Sequence, residues 1–325
     1  QRGRDGVDRG AVDRLDYGNF MGALAEQQAH QAPLMAEAAG LNCPATRYEE
    51  ACASAGVAVK AGVEAIRAGT AEVVVVGGME RMNCLDTGEA TEALAIAADE
   101  IYEVRAGMTF PSAYALMAQA YFERFGGDRE ALAHIAVKNH ANAVPNEYAQ
   151  YQREISVEDA LDAPPVAAPL HLYDACPITD GASALVLTSE SYAAANDIDA
   201  PVAITGVGQG GDRLALQDRD AIAQTPAATA AAETAYADAN IESADIDIAE
   251  VHDCFTIAEA MALESLGIAE TGDGISAARD GLTTPDGDCP VNLSGGLKAK
   301  GHPVGATGGS QIAELTRLLR GDHPN

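Results

Sequence analysis

The feature that most limits the fold of this chain is the unbroken apolar run EVVVV at 72–76, which ends in Gly77 and Gly78. A strand with one wet face alternates apolar and polar residues; consecutive valines need apolar surroundings on both faces, as in a central strand between helix layers. Just before it, residues 53–68 are alanine-rich, with Val59, Val63 and Ile66 at i, i+4 and i+7 on one helical face. Gly69 stops that helix. A helix followed by a doubly buried strand predicts a layered α/β fold.

The same reading extends along the chain. Residues 79–175 read as an inserted, mostly helical subdomain, with helices at 114–124 and 129–142 and a proline-rich loop at 162–169. Strands are expected at 184–188, 202–207 and 246–251, and helices at 225–239, 255–266 and 310–320. Thr256 and Glu259 have the spacing of a capping box. The result is two α/β halves, 1–190 and 191–325, with the insertion in the first. The chain starts at Gln1 in a polar stretch and stops shortly after its last helix, so both ends are expected to be incomplete.

Charge narrows the function. Asp plus Glu number 49 against 20 Lys plus Arg, a net charge of −29. That field repels a phosphate backbone and an anionic bilayer, which argues against nucleic-acid and membrane partners. No apolar run reaches the roughly 18 residues of a membrane span. The only lysines are Lys60, Lys138, Lys298 and Lys300. A dispersed acidic surface with so few lysines resembles proteins of salt-accumulating archaea, in which salt screens the self-repulsion. None of the six cysteines forms a CxxC pair and no export signal is visible, so reduced thiols in the cytoplasm are expected. No HxxxH or HxH spacing occurs, so no metal site is expected.

Three places could carry chemistry. Cys52, in EEACASAG, stands directly before a helix; the dipole and free N–H groups there should lower a thiol pKa. The alternative is a structural cysteine in alanine-rich packing. His252-Asp253-Cys254-Phe255 follows a strand, at the kind of strand end where α/β sheets bind ligands, and could supply proton donors and acceptors. A satisfied strand-end histidine is the plainer reading. The third is NLSGGLKAKGHPVGATG at 292–308, where His302 lies in a glycine-rich run that lets backbone approach a ligand; the phosphate-loop pattern GxxxxGK[ST] is absent.

Taken in order, a cysteine at a helix start, HDCF and GHPVGATG resemble a thiolase, most of all the sterol-carrier-protein type and the archaeal acetyl-CoA acetyltransferases. GNFMG at 18–22, VGGME at 76–80, TFPSAYALMAQ at 109–119, VKNHANA at 137–143 and DGASALVL at 180–187 agree with that resemblance, which covers nearly the whole chain. It implies two similar βαβαβαββ halves stacked in five layers, α-β-α-β-α, with the insertion as a loop domain that helps bind coenzyme A. It implies Cys52 as the acyl-carrying nucleophile and His302 as the group that activates it and binds the thioester oxygen. His252 would stand in the place of an oxyanion-binding asparagine, and Cys254 would be the acid/base. Phe255, Ser294, Gly295, Gly301 and Pro303 would line the substrate and coenzyme A site.

The implied reaction is the condensation of two acetyl-CoA to acetoacetyl-CoA, or thiolysis of a 3-ketoacyl-CoA. No cofactor is held permanently; coenzyme A and acetyl-CoA are substrates. A homodimer or tetramer is implied, with a small zinc-ribbon/OB-fold partner and hydroxymethylglutaryl-CoA synthase as further partners, in an isoprenoid, storage-polymer or fatty-acid pathway. The competing readings are a non-catalytic thiolase-like subunit, opposed by the intact Cys52, His252, Cys254 and His302, and a ketoacyl synthase, which the HDCF and GHPVGATG motifs fit less well.

Overall fold

The structure is a computed structural model that describes residues 6–325. Six strands are described: β1 (Arg14–Gly18), β2 (Ala45–Tyr48), β3 (Val73–Glu80), β4 (Pro165–Ala167), β5 (Leu170–His171) and β6 (Gly181–Thr188). The chain divides into two compact units. One combines Gln1–Asp86, Thr179–Ile204 and Pro303–Asp322; the other combines Thr87–Ile178, Thr205–His302 and His323–Asn325.

The first unit is built on a mixed sheet in the order β2-β1-β3-β6. β1 runs parallel to both β2 and β3, while β6 closes the edge antiparallel to β3. The valine run lies in β3, whose residues are nearly all buried, as the absence of alternation predicts. By contrast, β6 alternates between half-buried and exposed residues, the pattern of a strand with one exposed face. Helix Ser54–Arg67 packs on β1 and β3 through Ala55, Ala58, Val59 and Val63. Helix Thr307–Arg320 packs on β6.

The second unit is mostly helical. Its main helices are Phe110–Phe125, Arg129–Ala143, Pro226–Ala239 and Thr256–Ser265. Thr109 and Ser112 form a capping box on the first, and the Asp128 side chain accepts from Ala131 N at the start of the second. All of these except Pro226–Ala239 contribute to a core that includes Met117, Tyr121, Leu132, Ile135, Phe255, Ile257, Met261 and Leu297. Burial of each large side chain contributes about 1.5–3 kcal/mol. No described helix is long and apolar enough to cross a membrane.

Three local expectations fail. Residues 202–207 and 246–251 form no strand; the second segment makes only an isolated bridge, Ala249 to Val291. A strand needs a ladder partner, and from 205 onward the extended chain lies against a helix instead. Added Cβ atoms at Gly206, Gly208 and Gly210 would come within about 2 Å of the carbonyl oxygens of Ala235, Ala231 and Ala227 in helix Pro226–Ala239. Every second residue is thus a glycine because helix backbone occupies the side-chain space. The capping box at Thr256 is also absent: Thr256 Oγ1 donates to Asp174 (2.7 Å) and Glu259 is drawn into a buried ion pair.

Candidate active site

Cys52 lies in the tight turn Ala51–Ala53 that leads into helix Ser54–Arg67. Ala51 adopts φ +45°, a left-handed conformation unusual for a residue with a Cβ. Ser54 holds it there: Ser54 Oγ donates to Ala51 O (2.6 Å) and accepts from Glu50 N (2.9 Å). The turn presents Cys52 at the mouth of the helix, as expected, but the thiol pKa moves the other way. Burial pushes it up to about 12, with the nearby Glu80 carboxylate adding to the effect. Desolvation of a thiolate outweighs the helix dipole here.

Glu80, at the end of β3, is itself buried. Its carboxylate accepts from Phe20 N (2.6 Å), Met21 N (3.1 Å), Asn19 Nδ2 (3.1 Å) and Gly305 N (3.1 Å). It therefore ties the GNFM loop and the GATG turn to one strand end. Burial raises its pKa to about 7 even against these donors. Pro303 heads the same turn, its carbonyl accepting from Ala306 N (2.8 Å) and Thr307 Oγ1 (3.1 Å).

In the second unit, His252 and His302 come together from positions fifty residues apart in sequence. Their ring centroids are 4.9 Å apart and their planes are nearly perpendicular at 79°. His302 is buried and follows Gly301, which has φ +122°, and its backbone bridges to Ile178. Burial lowers the pKa of His252 to about 4 and that of His302 well below its usual value, with the neighbouring ring adding to the second shift. Both rings are neutral near pH 7, so each offers one N–H donor and one acceptor nitrogen.

Cys254, Phe255, Ser294 and Gly295 belong to the same unit. Cys254 is buried, and its carbonyl accepts from Cys176 N (2.9 Å). Phe255 stacks on Tyr114 with ring centroids 4.6 Å apart. Ser294 is engaged with Glu250: its hydroxyl donates to Oε2 (2.6 Å) and its N–H to Oε1 (2.9 Å). Gly295 has φ +102°, and a Cβ there would meet Ala143 Cβ at 2.5 Å.

One set of functional-site residues escapes the sequence reading. Asp253, between His252 and Cys254, turns its carboxylate inward. Oδ1 accepts from Leu297 N (2.6 Å) and Oδ2 from Asn139 Nδ2 (2.7 Å). Asn139 Nδ2 also donates to Glu259 (2.7 Å), which pairs with Lys138 (2.9 Å) and accepts from Asn292 Nδ2 (2.8 Å). Burial and the nearby Glu259 raise the Asp253 pKa. This buried network links the loop bearing His252 to the Gly296–Lys300 turn that leads to His302. A signal was available: Lys138, Asn139 and Asn142 continue the apolar stripe of Ala131 and Ile135 at helical spacing, so polar residues occupy core-facing positions. Within that turn, the buried Lys298 donates to Ala175 O (2.7 Å) and lies over the Tyr173 ring (5.6 Å); burial brings its pKa down to about 8.

The thiolase N-terminal domain model matches residues 3–191, and the thiolase C-terminal domain-like model matches residues 208–325. The chain is 42% identical over 318 residues to the acetyl-CoA acetyltransferase of Methanothermobacter thermautotrophicus, covering 98% of this chain and 82% of the relative. It is 40% identical over 324 residues to that of Methanocaldococcus jannaschii, covering 98% and 81%. Rabbit (Oryctolagus cuniculus) sterol carrier protein 2 is 30% identical over 295 residues, covering 86% of this chain and 53% of the relative. Among solved structures, an Ltp2-ChsH2(DUF35) aldolase superposes with a TM-score of 0.82 at 26% identity, covering 98% of this chain and 81% of that one. With both halves matched by thiolase models, and acetyltransferases aligned along nearly its whole length, this chain has the thiolase fold and belongs to the thiolase family of acyltransferases.

Proposed function

We propose that the protein is an acetyl-CoA C-acetyltransferase that condenses two acetyl-CoA to acetoacetyl-CoA, or cleaves 3-ketoacyl-CoA with coenzyme A, through an acyl group on Cys52. The observation that carries this reading is the His252–His302 pair: two neutral rings with centroids 4.9 Å apart can aim two donors at one carbonyl oxygen.

The steps follow from protonation states. A thiol raised to about 12 is protonated at rest and needs a base. His302, held neutral, can accept that proton. The Cys52 sulfur attacks the thioester carbon; its bond to coenzyme A breaks, and coenzyme A leaves as the thiol with the proton returned by His302. The oxygen of a second acetyl-CoA is then held by His252 and His302 while Cys254, as its thiolate, takes the α-proton. The enolate carbon attacks the acetyl carbonyl, the bond to Cys52 breaks, the proton on Cys254 passes to the Cys52 sulfur, and acetoacetyl-CoA leaves. Phe255, Ser294, Gly295, Gly301 and Pro303 border the substrate in this reading. The protein works as a cytoplasmic homo-oligomer, with a small zinc-ribbon/OB-fold protein as partner.

The test is mass spectrometry of the protein after incubation with acetyl-CoA in molar potassium chloride. An acetyl group on Cys52 that is lost on adding coenzyme A is the expected result. A folded protein with no adduct, alone and with its partner, would move the assignment to a non-catalytic thiolase-like subunit.

A further inference from the structure

Three of the four lysines, Lys138, Lys298 and Lys300, are buried. Lys138 has a counter-ion in Glu259. Lys298 donates instead to a neutral group, the carbonyl of Ala175 (2.7 Å). A buried ammonium carries a desolvation cost that an apolar side chain of similar length would not, so its presence calls for a role that packing alone cannot fill.

That role follows from the place of Ala175. Segment 175–178 runs between the two loops that hold the expected proton-transfer groups. Ala175 bridges to Phe255 and Ile178 to His302, and Cys176 N donates to Cys254 O (2.9 Å). These are isolated bridges rather than a ladder, and Pro177 has no N–H to add. Lys298 reaches the segment from the Gly296–Lys300 turn, where the N–H groups of Leu297 and Lys298 donate to Asp253 (2.6 and 3.3 Å). One residue thus ties its backbone to the loop of His252 and Cys254, its side chain to segment 175–178, and lies just before His302 in the chain.

The ammonium is framed by charge and by an aromatic ring. It lies over Tyr173 (5.6 Å), whose hydroxyl accepts from Arg153 (2.7 Å). Burial brings the Lys298 pKa down to about 8; Cys176, Asp253 and Asp174 oppose that shift and Arg153 adds to it. On helix Arg129–Ala143, burial lowers the pKa of His140 to about 4, with Lys298 contributing. Lys298 is therefore mostly charged at pH 7 and neutral well above pH 8.

We propose that Lys298 is a positioning residue: its ammonium anchors segment 175–178 and so fixes Cys254 and His302 for proton transfer. The inference rests on the reading above in which those two residues move protons.

The experiment compares thiolysis of acetoacetyl-CoA by the unaltered protein, Lys298→Met and Lys298→Arg. At pH 7 Lys298→Met should lower kcat about 10- to 100-fold, the scale of a misplacement near 1 Å, with KM within about threefold. Lys298→Arg keeps a charged donor and should recover most of that loss. The ratio of unaltered to Met-variant kcat cancels ionisations common to both proteins. It should fall at least about threefold between pH 7 and 9.5, as the charge-assisted bond weakens, whereas the arginine variant keeps its charge throughout. A Met variant that does not fold is replaced by Lys298→Gln in the same comparison. A kcat within about twofold of the unaltered protein overturns the proposal, as does a ratio that stays flat with pH. If the unaltered protein cleaves no 3-ketoacyl-CoA, the assigned reaction fails and hydrogen exchange decides about the anchor. Faster exchange of the Cys176 amide by about tenfold in Lys298→Met, but not in Lys298→Arg, supports it; equal exchange in all three proteins overturns it.

Discussion

The side-chain amide of Asn139 bridges two buried carboxylates, donating to Asp253 and Glu259 at 2.7 Å each. Asn139 is fully buried, so neither carboxylate has water to replace it. Asn139→Ala should lower unfolding free energy by about 3 kcal/mol, the scale of losing hydrogen bonds to charged groups in a buried setting. Denaturant unfolding measures the loss, and an unchanged midpoint would remove the network from its supporting role. Thiolysis should fall with it, because Asp253 also fixes the backbone of the turn leading to His302.

Lys138 supplies positive charge to the same network through its 2.9 Å pair with Glu259, both side chains being almost completely buried. Lys138→Met leaves Glu259 without that partner and should cost about 3–5 kcal/mol. The double variant Lys138→Met/Glu259→Leu should recover part of the loss, since two apolar side chains need no counter-charge. A double variant no more stable than Lys138→Met alone would refute the pairing as the source of the effect.

How much of this arrangement was legible in the sequence depends on the distance over which each interaction acts. The buried β3, the helix after Cys52 and the helices at 110–125 and 307–320 follow local periodicity, and their positions agree with it to within a few residues. The GHP and HDCF motifs marked His302 and His252, yet nothing local says that their rings meet. That depends on the Gly296–Lys300 turn being pinned to Asp253 from forty-four residues away. The Thr256–Glu259 spacing misled because a tertiary ion pair competes for the same carboxylate. Residues 202–207 read as a strand until the helix backbone opposite Gly206, Gly208 and Gly210 is seen.

Glu80 gives a pH prediction with a definite sign. Its pKa is raised to about 7 from the usual 4.5, so the folded protein keeps a proton that the unfolded chain releases. Its contribution to stability is therefore present below about pH 4.5 and is lost as pH rises to about 7. The neutral His252, its pKa lowered by desolvation, acts the opposite way over part of that range, so the measurement is a difference between variants. Glu80→Gln should make the slope of stability against pH more positive by up to about 1.4 kcal/mol per pH unit between those limits. Parallel curves for the two proteins would rule out a raised Glu80.

Gly295 joins backbone geometry to the site. At φ +102° it adopts a conformation that disfavours a side chain, and a Cβ would meet Ala143 at 2.5 Å. Gly295→Ala should destabilise by about 2 kcal/mol from the strained backbone, plus whatever displacement the clash forces on helix Arg129–Ala143. That helix carries Lys138 and Asn139, so the shift should also lower thiolysis. Full stability and activity in Gly295→Ala would contradict the packing described here.

The last prediction concerns charge. With a net charge of −29, acidic groups repel one another over most of the surface. At about 0.1 M salt the screening length is about 10 Å, comparable to the spacing of surface charges; at about 1 M it is about 3 Å, shorter than most such separations. Raising potassium chloride from about 0.1 M to 2 M should therefore raise the thermal midpoint by several degrees, with most of the gain below about 1 M, where the screening length changes fastest. A steady rise that continues at higher salt would implicate ion exclusion acting on apolar burial instead, since that effect does not saturate when charges are screened. A midpoint independent of salt would show that the acidic surface carries no net repulsion and would refute adaptation to a salt-rich interior.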